Sequence, residues 1–572
     1  MISRAACLAL CALLLATPAA ADGYLHADGT RIVDASGKPV ILRGMGLGGW
    51  MLQEGYMLQL GKLGPQHVIR GKITDLVGEK RAAEFYEAWL DNHTREPDIK
   101  AMGQWGFNSV RLPIHFDLLT LPVDQEPVSG GDTWHEDGFK RIDDLLAWSK
   151  ANGIYLILDL HAAPGGQGND LAISDRDPTK PSLWDSPENQ RKTIALWRKL
   201  AARYAHEPWI GGYDLINEPN WSFATPGKGN GCDEKLNGPV RDLQMRITQA
   251  IREVDDKHLV IVEGNCWGNN YAGVLPKWDG NMVLSFHKYW NVNTPDSIAP
   301  ILKLRDDNAM PIWLGESGEN SNVWFADSIR LVEGEGIGWA FWPLKKIGFN
   351  QPLEITPNPD WAKLVAYWTE GGPKPDADEA YATLMRLAEH DIRFEANVQH
   401  PDVIDAMFRQ PGSDVAKPFG PLVAGKAILA ADYDLGRVGV AYADNDVANY
   451  HVSTGKERTP WNRGRTYRND GVDIGREAYG TPFVSDFEPG EWLRYTVVAV
   501  RDGSSDVIIR ATAPLSIGLN GAPAVVAQTG SVEGRWKTFV VRGLRLKRGA
   551  NVVRVEAGAQ TGEFLSLEFT KP

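Results

Sequence analysis

The chain has 572 residues, 43% of them hydrophobic and 23% charged. That composition excludes global disorder, and the length exceeds one ordinary core, so two or three domains are expected. The net charge of −13 argues against a nucleic acid or an anionic membrane as partner, because phosphate recognition needs clustered Lys and Arg; a neutral polymer suits it. The 21 Trp, 16 Tyr and 17 Phe offer surfaces for stacking on sugar rings, although large barrels and sandwiches also bury many aromatics.

Residues 1–21 read as an export signal. Arg4 supplies the positive start, the apolar run from Ala5 to Ala16 is too short to span a bilayer, and Ala19, Ala20 and Ala21 precede a cleavage predicted before Asp22. Leu10 is bulky where lipid attachment at Cys11 would need a small residue. No later stretch is long and apolar enough to cross a membrane. A secreted protein, extracellular or periplasmic, without a membrane anchor is expected. Once Cys7 and Cys11 leave with the signal, only Cys232 and Cys266 remain, and an oxidising compartment permits them to pair.

From Asp22 to Val40 a short hairpin is predicted around Ser36-Gly37-Lys38, capping one end of the domain after it. Eight apolar runs come next, at 40–47, 107–113, 154–161, 210–219, 259–265, 282–289, 311–317 and 337–343. Each is apolar on both faces, as strands covered by helices must be. Helical patterns such as FKRIDDLLAWSKANG and NQRKTIALWRKLAARYAH lie between most of them. Alternating strands and helices specify an α/β fold, a (β/α)8 or TIM barrel over 22–372, with 51–100 forming a wall of its cleft. Residues 373–420 read as a helical extension and linker. Residues 421–572 switch to short alternating strands (EWLRYTVVAV, DVIIRATA, RWKTFVVRG, NVVRVEAG), an all-β, jelly-roll-like sandwich.

Arg111, His161, Asn217, Glu218, His287, Tyr289, Glu316 and Trp342 stand at the C-terminal ends of six runs, the catalytic face of such barrels. Two carboxylates brought together there are the minimum equipment for cleaving a glycosidic bond with retention: one ionised nucleophile and one protonated acid, about 5–5.5 Å apart. Context assigns the roles. Arg111 can reach Glu316 and keep it charged, and Glu218, facing that charge, should hold a proton. Asn217 can bond a sugar 2-hydroxyl, and Gly315 would let substrate approach the backbone. Glu319, three residues past Glu316, is the competing nucleophile. No metal is expected: His161 and His287 lie on different strands without zinc-site spacing. Ser317 lacks a nucleophile-elbow context, and GLGG at 46–49 lacks the Lys-Ser/Thr ending of a phosphate loop.

These residues resemble those of glycoside hydrolase family 5, in the barrel clan of retaining β-glycosidases, from Val40 to Pro343. The carrying strings are RLP (111–113), DLH (159–161), NEP (217–219), HKY (287–289), GES (315–317) and Trp342. The resemblance implies Glu218 as acid/base, Glu316 as nucleophile and a polysaccharide or oligosaccharide substrate. RGMGLGGWML (43–52) and HAAPGGQG (161–168) are similar to exo-acting β-1,3-glucanases of that family, which makes a β-glucan the leading substrate, with cellulose, mannan and rarer β-glycosides as alternatives. A non-catalytic polysaccharide-binding protein on the same barrel is the other reading, disfavoured because both glutamates are present. The tail resembles carbohydrate-binding modules of family 6 or 35 through ILAADYD (428–434), GVAYADND (439–446), YRNDGVDI (467–474) and FEPGEWLRYTV (487–497). Leu429 and Ala431 stand where such modules often place two calcium-binding glutamates, so calcium is doubtful and no other cofactor is expected. Trp461, Tyr467 and Trp536 are the candidate sugar-stacking aromatics, and Trp492 is expected in the core. A tail that only buttresses the barrel is the alternative.

Overall fold

The computed structural model describes residues 23–225, 228–455 and 461–570; the predicted export signal lies outside them. Eight parallel strands close into a barrel: β1 (Arg43–Gly46), β2 (Ser109–His115), β3 (Tyr155–Ala162), β4 (Ile210–Asp214), β5 (Val260–Val262), β6 (Met282–Lys288), β7 (Ile312–Gly318) and β8 (Gly338–Trp342). They pair in chain order, and β8 returns to β1. The chain turns back earlier than predicted: the leading hairpin pairs His26–Asp28 with Arg31–Val33, and 33–39 adds only an isolated bridge. Leu25 and Ile32 of this hairpin pack under the barrel against Leu42, Ile157, Ile261 and Trp313.

Strand alternation stacks the interior in layers. Leu42, Ile157, Ile261 and Trp313, from the odd strands, make an apolar floor. Two residues further along, the same strands carry Gly44, Asp159, Glu263 and Gly315. The glycines leave room there for serines of the neighbouring strands. A Cβ on Gly44 would lie 2.5 Å from Ser109 Oγ, and one on Gly315 would lie 2.1 Å from Ser285 Oγ. Gly315 therefore serves the barrel interior, not the approach of substrate expected from its place beside Glu316.

The outer helices are α1 (Gln66–Val77), α2 (Glu79–Asn92), α3 (Glu96–Trp105), α4 (Glu136–Ala151), α5 (Pro187–Tyr204), α6 (Gly238–Arg252), α7 (Pro295–Asn308) and α8 (Asn322–Gly334). In α5 the Ser186 hydroxyl accepts from Asn189 N, Pro187 takes the first turn, and Leu196, Trp197, Leu200, Ala201 and Tyr204 form the buried face. Trp197 Nε1 donates to Leu215 O at 2.8 Å, fixing the chain just beyond β4. No helix of two turns links β5 to β6. Residues 265–268 form one short turn in which Cys266 and Trp267 are left-handed, and EGNCWGNNYAGVLPKWDGN lacks an apolar stripe of helical period. A Cys232–Cys266 disulfide ties this loop to the one after β4.

After β8 come α9 (Trp361–Glu370), α10 (Ala377–Arg386) and α11 (Pro401–Phe408). The first two share an apolar core with α1 and α2, and α11 packs on α8; the helical part of 373–420 is thus packed structure, while 413–420 carries no helix or strand. The all-β region has two sheets. One runs through 492–499, 549–556 and 516–519; the other runs through 482–487, 562–569, 503–511 and 536–546. Their inner faces meet over Leu493, Tyr495, Val507, Ile509, Val553 and Phe564. Trp492 is a correction. Leu493 and Tyr495 hold the inward phase, so Trp492 shares the outer face with Arg494, under the Arg554 guanidinium at 4.1 Å. None of the three predicted sugar platforms presents an open ring either. Trp461 is buried against Phe349. Tyr467 is half-buried and donates to Asp432 at 2.6 Å. Trp536 is half-buried beneath Arg535, 4.5 Å away. Among the described residues no helix is long and apolar enough to cross a membrane.

Two stability measurements test this architecture. Ile261→Ala removes a fully buried floor residue and should cost about 2–5 kcal/mol in chemical denaturation. The disulfide spans 34 residues, so replacing both cysteines by serine should cost roughly 3–4 kcal/mol by loop entropy, read as a lower denaturation midpoint.

Candidate active site

All eight residues chosen at strand ends join one contiguous cluster of contacts at the C-terminal face. Arg111 on β2 is its fixed charge. Its Nε donates to Asp214 Oδ2 at 2.9 Å, Nη2 donates to Asn217 Oδ1 at 2.8 Å, and Nη1 donates to Glu316 on β7. Asp159 and Glu263 each lie 3.2 Å from the same guanidinium. Four carboxyl groups surround one fully buried cation, and they cannot all be charged. Burial pushes Asp159 and Asp214 well above the usual carboxylate range, against the opposing pull of Arg111. Glu263 goes the other way: burial would raise it, but His287 and Arg111 together hold it ionised.

Glu218 lies four residues beyond β4 with φ at +42°, a left-handed conformation that a non-glycine residue keeps only when its surroundings enforce it. Glu263 Oε2 accepts its N–H at 2.7 Å, and Asn220 donates to its carbonyl at 2.9 Å. Its carboxyl meets His287 Nδ1 at 2.6 Å. Burial, then the charge on Glu316, raise Glu218 to about 7, with His287 partly offsetting both. Glu316 has the opposite environment. Burial would raise it, but the charges on His287 and Arg111 hold it below the usual range, and Tyr289 donates to its Oε2 at 3.2 Å. His287 stays protonated despite burial because Glu263, Glu316 and Glu218 surround it. Ligand atoms of Glu218, His287 and Glu316 lie within 4.8 Å of one another.

His161 is neutral. Burial lowers it to about 3; its Nδ1 bonds Asp159 at 2.7 Å, leaving Nε2 to accept from Asn217 Nδ2 at 3.2 Å. Trp342 stacks on this imidazole with ring centroids 5.1 Å apart and planes within 2°. The glycines of RGMGLGGW explain how the indole fits: a Cβ on Gly46 or Gly48 would come within 2.5 Å of it. Glu319 takes no place beside Glu218. It lies past β7, paired with Lys346.

Several site residues escape the sequence. Asp159, Asp214 and Glu263 carry the same strand-end signal as the eight and could have been found by it. Glu54 and Tyr56 come from irregular chain after β1, where no period marks them. Burial, then Glu316 and Glu218, push Glu54 well above the usual range, and it lies 3.9 Å from His161. Tyr56 accepts from Trp342 Nε1 at 2.9 Å.

Residues 71–347 match the family model described as cellulase (glycosyl hydrolase family 5). A β-xylosidase of Phanerodontia chrysosporium is 27% identical over 428 residues, 66% of this chain and 84% of that protein. Endoglucanase C of Acetivibrio thermocellus is 24% identical over 331 residues, 46% of this chain and 88% of that protein. A probable glucan 1,3-beta-glucosidase A of Emericella nidulans is 30% identical over 313 residues, 52% of this chain and 71% of that protein. The family match falls on the barrel that carries the buried glutamate pair, and the chain belongs to glycoside hydrolase family 5.

Proposed function

We propose that this is an exported retaining β-glycosidase acting on a β-glucan by double displacement, with Glu316 as nucleophile and Glu218 as acid/base. The observation that carries the reading is the pair itself. Two buried carboxyl groups approach within 4.8 Å, and their surroundings drive their protons apart. Inverting enzymes separate the two groups by about 6.5–9.5 Å to admit a water; retaining enzymes keep them at about 5–5.5 Å.

In the first step Glu316, held in place by Arg111 and Tyr289, attacks the anomeric carbon while Glu218 gives its proton to the departing oxygen. Esterification of Glu316 removes the charge that helped to raise Glu218. Glu218 then ionises more readily and takes a proton from the attacking water. Asn217, bonded to Arg111 and His161, would donate to or accept from the sugar 2-hydroxyl. The chemistry calls for no cofactor. The names of the endoglucanase and glucan glucosidase relatives favour a β-glucan. A β-xyloside is the second reading, favoured by the relative that covers 66% of this chain. Defined β-glucans, xylans, mannans and aryl β-glycosides, with products resolved by size, separate these; activity on none of them would remove the proposal.

Glu316→Gln should lose about 10⁴-fold or more in kcat with the fold intact, and wild-type-like turnover would exclude its role. Glu218→Ala should lose about 10²–10⁴-fold on poor leaving groups and be rescued by azide on good ones. The nucleophile must be ionised and the acid protonated. Activity should therefore fall on the alkaline side near pH 7, as Glu218 ionises, and on the acid side only below the ordinary glutamate range. The alkaline limb should vanish in Glu218→Ala assayed with a good leaving group.

A further inference from the structure

Residues 319–321 make the short bend between the end of β7 and the start of α8. Gly318 and Glu319 both have positive φ, at +121° and +52°. Local chain preference does not favour that geometry. Its polar atoms are satisfied largely by the C-terminal β-region. Asn320 makes a two-point contact with the backbone of Asn449: Oδ1 accepts from Asn449 N at 3.0 Å, and Nδ2 donates to Asn449 O at 2.7 Å. Asn469 Nδ2 donates to Asn320 O at 3.0 Å and to Asn322 Oδ1 at 3.1 Å, while Asn469 O accepts from Asn322 N at 2.9 Å. Asn322 Nδ2 reaches Asp402 at 2.8 Å and Asp470 at 3.1 Å. All of these side chains are fully buried.

A second set of bonds reaches the loop after β6, which carries Tyr289. Val452 N donates to Trp290 O at 2.9 Å, and Val292 N donates to Ser453 Oγ at 2.7 Å. Trp290 Nε1 in turn donates to Glu319 O at 3.1 Å, so the two loops are joined. Glu319 pairs with Lys346, whose ammonium lies over the Tyr56 ring at 5.5 Å, and Tyr56 bonds Trp342. Apolar contact alone would hold two bodies together without fixing their register; directional bonds between buried amides fix it.

We propose that the β-region is a positioning element of the hydrolytic site. Asn469 and the Asn449 backbone, acting through Asn320 and Asn322, set the turn that follows Glu316 and align the nucleophile with Glu218. This rests on the double-displacement reading above and adds to it a role for residues that touch neither glutamate.

The test uses the full chain and the aryl β-glycoside that the wild type turns over fastest. Asn469→Ala should lower kcat at least ten-fold while KM moves less than three-fold. Val555→Ala, a cavity in the β-region's own core, serves as the comparison: it should lower the thermal midpoint and leave kcat within two-fold. A kcat within two-fold of wild type for Asn469→Ala, or an equal loss in Val555→Ala, overturns the proposal. Should Asn469→Ala not fold, Asn469→Asp decides. A carboxylate there repels Asn320 O, whereas its protonated form can donate to it, so the ratio of variant to wild-type kcat should rise as pH falls; a flat ratio overturns the proposal. An inactive Glu316→Gln beside an undiminished Asn469→Ala removes only the positioning role, while an active Glu316→Gln removes the mechanism.

Discussion

A guanidinium that keeps its proton at every accessible pH sits at the centre of this barrel, and its burial has to be compensated. Arg111 meets Asp159, Asp214, Glu263 and Glu316, and a second cation, His287, lies beside Glu218 and Glu263. Two positive groups are matched by two carboxylates held low, Glu263 and Glu316; the rest of the acidic cluster is driven toward its neutral form. The proton on Glu218 is therefore a property of the whole cluster rather than of one strand end. The interior glycines border this arrangement: a side chain at Gly44 would strike Ser109, and one at Gly315 would strike Ser285 and crowd His287.

Around that centre the cavity is built from unlike pieces. A rigid stack of Trp342 on neutral His161 gives it a flat apolar floor. Glu54 and Tyr56 add polar edges from the long excursion after β1, and Trp267, beside the disulfide, holds to Pro219 through its N–H at 3.1 Å. Barrel strands fix the charges to within a hydrogen bond, while loops of irregular shape decide which sugar can reach them.

The barrel was legible because its strands are apolar on both faces and its functional residues end them; Arg111, His161, Glu218, His287 and Glu316 all meet as that pattern required. What escaped did so for physical reasons. Trp492 was misplaced because a period-2 strand has two faces, and a large aromatic suits either when an arginine covers it. Trp461, Tyr467 and Trp536 are aromatic, but sequence does not say whether another part of the chain already occupies the ring. Glu54 lies in chain without a repeat. The Asn320–Asn449–Asn469 contact joins loops more than a hundred residues apart, and amides carry no periodic signal at all.

The two large apolar cores interlock. Val323, in the first turn of α8, packs into the β-region's core, while Ala448 of the β-region packs into the barrel's. Cutting the chain at this join would leave each part with an apolar patch that the other now covers.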